Sequence, residues 1–412
     1  MSRNFPSFID AFLEHNKNLG VSRKFLLWSA ISGVAGCLER RTWVLYNGIQ
    51  AVYPNMYIML IADSGIANKS TASRPIMELL YQVDGLNFMS TQMSGASLVK
   101  QMSQAGEDKK FQHEGLLYKN SSLFSYSSEA KVTIGDSKGL SGVQELLTDF
   151  YDCGDPNRWS TNKGWNKDTL SGGSVTVFNP CLNLLYCSTP TWLMEAIGKS
   201  GIGGGFASRV LFVNEKERAK GSSGWIDEED LPAKAVSENE KKLLADLQSI
   251  AQLNGQYKTS KGFKEKYNSI LEERNKKVDQ NPKAEMAPYY ARKMWHCLKL
   301  SQVLAADQSD SMIITPEHLD AACGLLELLE PDMYEPFSFN GENKSLISFS
   351  RFWEVMRRKD SWNKRDLSVG TYKHASSSQM DEHLRTLMTM KKIMLVPEVN
   401  GFTYRVIDPS AL

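Results

Sequence analysis

Apolar residues recur at helical spacing near the start of the chain. Phe5, Phe8, Ile9, Phe12 and Leu13, then Phe25, Leu26, Trp28 and Ile31, predict two helices between Phe5 and Leu38. The pattern then shortens into runs. Thr42 to Leu45 and Met56 to Ile61 predict strands, and the second is apolar almost throughout, as in a strand covered on both faces. Downstream, Ser70 to Tyr81 predicts a helix, Leu86 to Met89 a short strand, Ser94 to Gln104 a helix and Leu123 to Tyr126 a strand. Leu140 to Tyr151 predicts a helix, Ser174 to Thr189 contains a strand ending at Cys187-Ser188-Thr189, and Val210 to Val213 predicts a further strand. Such alternation implies an α/β fold, a parallel sheet flanked by helices.

Beyond that point the pattern changes twice. Glu215 to Ala235 is polar, charged and rich in small residues, which predicts a linker. Asn239 to Pro336 is helical by pattern, with a capped start at Thr315-Pro316-Glu317-His318. Ile347 to Arg357, Trp362 to Leu367 and Ser377 to Met390 are followed by two β-prone runs, Ile393 to Val396 and Phe402 to Val406, around Asn400-Gly401. Asn-Gly between such runs signals a hairpin, and the order of helices then hairpin suits a winged helix. The division is an N-terminal helical layer (1–50), an α/β core (51–235), a helical lid (236–338) and a winged-helix domain (339–412). No internal repeat of solenoid period is present.

Composition narrows the class. With 412 residues, 42% hydrophobic and 23% charged, the chain belongs with globular proteins of two or three units. Its longest strongly apolar stretch, Met56 to Ala62, is far short of the roughly 20 residues that span a bilayer, and MSRNFPSFID lacks a secretory pattern. A cytoplasmic location without membrane contact is expected. The six cysteines are scattered without CxxC spacing, which predicts reduced thiols, and the six histidines form no metal-binding motif. Net charge is +1, so the chain is not uniformly basic. Between Lys344 and Lys392, however, eleven Lys and Arg stand against five Asp and Glu, an asymmetry that points to phosphate contact.

The segment with the most specific chemistry is Ser64-Gly65-Ile66-Ala67-Asn68-Lys69-Ser70-Thr71. A loop between an apolar strand and a helix can cradle phosphates with its backbone N–H groups, while a Lys and a Ser/Thr reach phosphate and Mg²⁺. Here Lys69, Ser70 and Thr71 supply those side chains, with Ser70 expected on Mg²⁺ and ATP expected as the nucleotide. The usual GxxxxGK[ST] pattern is not met, since Asp63 and Asn68 stand where it has glycines. An ordinary helix start is the competing explanation. Hydrolysis further needs a carboxylate to orient water, and Glu129, after the apolar strand at Leu123, fits. Ser128 stands where such strands usually carry Asp. A polar group at the end of a neighbouring strand, Ser188 or Thr189, would help hold that water, or it simply closes the strand.

Taken in order, these elements resemble the phage and plasmid replication ATPases, P-loop proteins of the AAA+ kind often found beside or fused to primases. The likeness lies in Pro54-Asn55-Met56-Tyr57, the loop from Ser64 to Thr71, Ser128-Glu129, Ser188-Thr189-Pro190-Thr191-Trp192-Leu193 and Gly203-Gly204-Gly205-Phe206-Ala207-Ser208-Arg209. More distantly the chain is similar to the cores of minichromosome maintenance and superfamily 3 helicases. The resemblance implies that 51–235 is an AAA+ ATPase core and that the active form is a homo-oligomeric ring, a hexamer. Arg209 would act from one subunit on its neighbour's nucleotide, the alternative being a local salt bridge, and Arg292 would be a lid arginine sensing nucleotide.

A hairpin at Trp159 to Gly173, with Lys163, Trp165 and Lys167, would touch the nucleic-acid backbone or be merely solvated. Arg357, Arg358, Lys364, Arg365 and Lys373 of the winged helix would contact DNA, single-stranded or forked, or the unit would dock protein. The implied function is a replicative helicase of a phage or mobile element, acting in the host cytoplasm with a primase or polymerase as a possible partner. The alternative is an ATP-gated scaffold or loader with slow or no hydrolysis. A metabolic P-loop kinase is disfavoured by the length, the lid and the terminal domain.

Overall fold

The computed structural model describes residues 3–90, 92, 94–135, 142–153, 160–161, 163–169, 173–202, 205–217, 235–280, 286–338, 349, 352–371, 376–398 and 401–407. They fall into two units, Met1–Phe337 and Ser338–Leu412.

The first unit opens with α1 (Phe8–His15) and α2 (Arg23–Leu38), each started by a serine whose hydroxyl accepts a backbone N–H, Ser7 from Asp10 and Ser22 from Phe25. Next come β1 (Thr42–Tyr46), β2 (Gln50–Val52), β3 (Tyr57–Ile61), α3 (Lys69–Leu80), α4 (Gly95–Asp108), β4 (Lys110–His113), β5 (Leu116–Lys119) and β6 (Ser122–Ser127). The chain continues through α5 (Ala130–Ile134), α6 (Gln144–Tyr151), β7 (Trp165–Thr169), β8 (Gly173–Val177), β9 (Cys181–Ser188), α7 (Pro190–Ile202) and β10 (Val210–Asn214). It ends with α8 (Ala235–Ile250), β11 (Gly255–Thr259), α9 (Phe263–Gln280), α10 (Ala287–Gln308), β12 (Ile313–Ile314) and α11 (Pro316–Met333).

The main sheet has the order β10-β3-β9-β6, parallel throughout. Every residue of β3 and β9 is buried, which is why both read as apolar runs rather than as alternations. Helix α2 lies against α3 and the sheet, and small residues allow the approach. A Cβ on Gly33 would stand 2.5 Å from Ile76 of α3, and one on Gly36 2.5 Å from Phe124 of β6. The strand expected at Leu86 to Met89 is reduced to a single parallel bridge between Phe88 and Phe124, with Met89 donating to the Phe124 carbonyl at 2.9 Å. It follows directly on Gly85, which turns the chain at φ +77°, and so has little length in which to pair.

The segment read as wholly helical contains two strands, β11 and the short β12. β11 pairs in parallel with β1, Thr42 opposite Gly255, within a second sheet of order β12-β11-β1-β2. Its short Gln256-Tyr257-Lys258 alternation is a weak local signal, and the open edge of β1 supplies the backbone partners that settle it. Tyr257 is buried by the pairing. Helices α8, α10 and α11 share one apolar core with the main sheet. The hairpin expected at Trp159 to Gly173 lies further along, with β7 paired to β8 and Trp165 opposite Val177. Trp165 therefore begins a strand, and Trp159 lies outside the described residues. The expected linker from Glu215 to Ala235 falls mostly outside them too. No helix among the described residues is long and apolar enough to cross a membrane.

The second unit has helical residues 352–356, β13 (Ser361–Asn363), α12 (Lys364–Thr371), α13 (Ser377–Thr389), β14 (Ile393–Glu398) and β15 (Gly401–Val406). Its antiparallel sheet runs β13-β15-β14. It has a core of its own around Phe352, Trp353, Met356, Leu367, Leu384 and Leu387. Asn400 of the expected turn lies outside the described residues, and the flanking strands pair from Ile393 with Val406 to Glu398 with Gly401.

Two buried carboxylates tie the amino-terminal segment down. Asp246 accepts the Asn4 and Phe5 N–H groups at 2.7 and 3.0 Å, and Asp307 accepts the Ile9 N–H at 2.7 Å and the Ser7 hydroxyl at 2.8 Å. Burial pushes the Asp307 pKa up to about 6, with Asp10 adding to the rise and the bonds from Ile9 and Ser7 and the charge of Arg3 opposing it. A carboxyl whose folded pKa exceeds the unfolded value of about 4 takes up protons on folding between the two. Asp307 therefore lowers stability as pH rises through that window. Asp307→Asn keeps a hydrogen-bonding group at both contacts and should remove this component. Relative to the parent, its thermal midpoint should rise between pH 4 and pH 7, and an identical pH dependence in the two proteins would contradict the assignment.

Candidate functional site

The connections leaving β3 and β9 run to opposite edges of the main sheet, β3 toward Phe88 beyond β6 and β9 toward β10. In an open α/β sheet, the carboxyl ends of such a strand pair form a crevice. A cavity of about 290 Å³ lies there, lined by Ser64, Gly65, Asn68, Lys69, Ser70 and Thr71 after β3, Ser128, Glu129 and Lys131 after β6, and Cys187, Ser188, Thr189 and Trp192 after β9. Ala67 is buried beneath the loop and Ile66 is half-buried against the core.

The loop turns through left-handed backbone at Gly65 (φ +77°) and Asn68 (φ +48°). The space around the Gly65 Cα is open, and Asn68 precedes α3 without capping it through its side chain. First-turn N–H groups of a helix lack intrahelical partners, so the start of α3 presents donors to the cavity. Lys69 folds back over the loop, its Nζ donating to the Ala62 carbonyl at 2.7 Å and the Asp63 carbonyl at 3.4 Å. Partial burial pulls the Lys69 pKa down, while Cys187, Asp63 and Glu129 push the other way. Behind it, the Ser73 hydroxyl meets the Tyr126 hydroxyl at 3.0 Å and pins α3 to β6.

Glu129 is held by its backbone. Its N–H donates to the Ser127 hydroxyl at 3.2 Å, and that hydroxyl donates to the Glu129 carbonyl at 2.7 Å. The Glu129 carboxylate is exposed and makes no hydrogen bond or ion pair among the described residues. Thr189 lines the cavity and also accepts the Trp192 N–H at 3.3 Å on its hydroxyl, and Ser188 donates to the Thr189 carbonyl at 3.4 Å. The fold thus brings Lys69, Ser70, Thr71, Glu129 and Thr189 to one cavity.

It does not bring Arg209 or Arg292 there. Both bind Asp152, the residue after α6. Arg209 pairs with Asp152 and donates to the Gly205 carbonyl at 2.6 Å, and Arg292 reaches the other Asp152 oxygen at 3.2 Å. Arg209 is only 6% exposed, so its local salt bridge is a formed contact. Arg292, His296 and Lys299 lie on one face of α10 at i, i+4 and i+7. Lys299 is buried and donates to Asn55 Oδ1 at 2.5 Å and to the carbonyls of Tyr53 and Tyr151 at 3.0 and 3.5 Å. Asp152 carried no signal in sequence. The polar spacing along α10 did, as a charged face on a helix otherwise bound for the core.

Of the residues expected to meet nucleic acid, Lys163 is exposed and Lys167 half-buried. Trp165 is engaged in packing, its Nε1 donating to Asp149 at 3.1 Å and its ring edge-on to Phe150 at 5.3 Å. Arg357, Arg358, Lys364 and Arg365 are exposed, Arg357 pairing with Glu354 at 2.7 Å and Lys364 with Asp381 at 2.8 Å. Lys373, Gly203 and Gly204 lie outside the described residues.

His296 links the two segments that carry Arg209 and Asp152. Burial pulls its pKa down to about 4, so the ring is neutral, and the neighbours assign its tautomer: Nε2–H donates to the Ser208 carbonyl at 2.9 Å, and Nδ1 accepts the Tyr151 hydroxyl at 3.0 Å. A histidine with a depressed folded pKa contributes stability that is lost as pH falls from its unfolded value, about 6.5, toward the folded one. The loss should reach about 3 kcal/mol near pH 4. Urea unfolding of His296→Gln should lack this acid-side loss; a parent-like slope between pH 7 and pH 4 would count against the buried neutral ring.

No protein-family model and no curated protein matches the chain. Among solved structures it is similar to a full-length MCM homolog from Methanopyrus kandleri, at 12% sequence identity and a TM-score of 0.41. The match covers 81% of this chain and 63% of that one, so the chain spans less than two thirds of its neighbour's length.

Proposed function

We propose that the chain is a P-loop nucleoside triphosphatase of the AAA+ kind that forms a ring on DNA, as a replicative helicase of a phage or mobile element. The observation that carries the reading is the meeting of Lys69, Ser70 and Thr71 with the Glu129 carboxylate, unpartnered among the described residues, at the carboxyl ends of the parallel strands β3 and β6, which flank β9. The donor set suits Mg-ATP. An amine and an uncapped helix start offer N–H donors to phosphate oxygens, and the Ser70 hydroxyl suits Mg²⁺. Bound Mg²⁺ supplies charge neutralisation at the phosphates. Glu129 orients the attacking water, with Thr189 beside it, while the loop from Ser64 holds the phosphate chain.

In this reading Arg209 acts on the nucleotide of the neighbouring subunit, which would require its release from Asp152. Arg292, on the same carboxylate, would act beside it. Such a site is completed only between subunits, which supports a ring, a hexamer by analogy with related motors. We further read 1–50 as a helical layer, 51–235 as the ATPase core, 236–338 as the lid and 339–412 as a winged helix. DNA would be met by Lys163 and Lys167 and by Arg357, Arg358, Lys364, Arg365 and Lys373, and a primase or polymerase is the partner class. Ser128 favours a second reading, an ATP-gated loader with slow turnover, because among the described residues the cavity has one acid, Glu129, where two would hold metal and water.

Lys69→Ala should abolish ATP binding, whereas Glu129→Gln should keep binding and lose turnover by about 10²–10⁴-fold. Subunits carrying Arg209→Ala and subunits carrying Lys69→Ala should each be inactive alone and recover DNA-stimulated hydrolysis when mixed. Turnover indifferent to all three substitutions would sink the motor.

A further inference from the structure

A groove of about 510 Å³ opens between β2 and α10, lined in part by Tyr53, Tyr151, Asp152, Arg292, Trp295 and Lys299. Its charges do not balance. Arg292 and Lys299 line it and the buried Arg209 reaches its Asp152, and among the described residues Asp152 is the carboxylate that pairs with both arginines, while Lys299 is met by neutral oxygens. Cations gathered with too few acids, Arg209 and Lys299 among them buried, carry a desolvation cost that a further anion would relieve.

A second observation points the same way. Arg209 is buried, yet its Nε–H has no hydrogen-bond partner among the described residues. Its other nitrogens are engaged by Gly205 and Asp152. An unfilled donor on one of two guanidinium groups that share one carboxylate describes a place for an anion with more acceptor oxygens than a carboxylate has. A phosphoryl group has that shape, and guanidinium forks match it. Asp152 is 41% exposed on its side chain, so it can turn to water when displaced.

We propose that Asp152 is an internal stand-in anion, whose carboxylate occupies the place of a terminal phosphoryl group between Arg209 and Arg292 and competes with a polyphosphate chain for them. The proposal rests on the function above only for the origin of the ligand, which in a ring would be the neighbour's nucleotide. It predicts that the free subunit keeps both arginines paired with Asp152, and that an arriving phosphoryl group releases Asp152.

The test uses the full chain carrying Lys69→Ala, which disables the first cavity, with inorganic pyrophosphate as the calorimetric probe. Adding Asp152→Asn should tighten binding about tenfold or more, the scale of one competing charge-assisted hydrogen bond, and a further Arg292→Ala should cancel the gain. Unchanged or weaker binding in a folded Asp152→Asn chain, or a gain that survives loss of the arginine, overturns the proposal. Should Asp152→Asn not fold, the otherwise unaltered chain gives the answer. Pyrophosphate should slow phenylglyoxal modification of Arg292, read by peptide mass, and no slowing overturns the proposal. A single-stranded oligonucleotide without terminal phosphates should not protect Arg292; equal protection would replace the terminal phosphoryl group with a phosphodiester and overturn the proposal as stated. If pyrophosphate behaves as expected while Arg209→Ala leaves ATP turnover intact, the anion site stands and the ring reading fails.

Discussion

Pairing of β3 between β9 and β10 is the constraint on which the rest of the first unit depends. A strand buried on both faces has no water to satisfy its backbone, so every N–H and C=O must find a neighbouring strand. The register that results, Ile61 beside Ser188 and Asn214, brings the ends of the strands level with one another. Lys69 and Thr189 meet for that reason, and β6, one strand further out, delivers Glu129 to the same edge.

Electrostatics separate the polar residues of this unit into two places. Around Lys69 the amine is answered by backbone carbonyls and the carboxylate of Glu129 is left free among the described residues, an arrangement with capacity for both an anion and a water. Around Asp152 the situation is reversed, with two guanidinium groups sharing one acid and a buried ammonium beside them. His296 and Tyr151 tie the Arg209 segment, the end of α6 and α10 together through neutral hydrogen bonds. The arginines therefore sit on a rigid frame built from three distant parts of the chain.

Much of this was legible where the signal is local. The apolar run through Ile61, the Gly65 bend, the Lys69-Ser70-Thr71 helix start and the strand before Glu129 each depend on neighbours in sequence, and each stands where the pattern placed it. The paired strands β14 and β15 flank the position read from Asn400-Gly401 for the same reason. What escaped is non-local. β11 becomes a strand because β1 offers an edge, and Trp165 is spent on Phe150 and Asp149 because β7 and α6 come together.

Hydrophobic period and turn chemistry act over a few residues, so the α/β alternation, the Gly65 bend with its Lys69-Ser70-Thr71 helix start and the candidate acid at Glu129 could be read from the sequence. Tertiary structure alone decided which charges share a site. Arg292 and Asp152 are 140 positions apart in sequence, and only chain folding, with α10 buried among α2, α11 and the second sheet, sets a guanidinium beside the one carboxylate that it and Arg209 share.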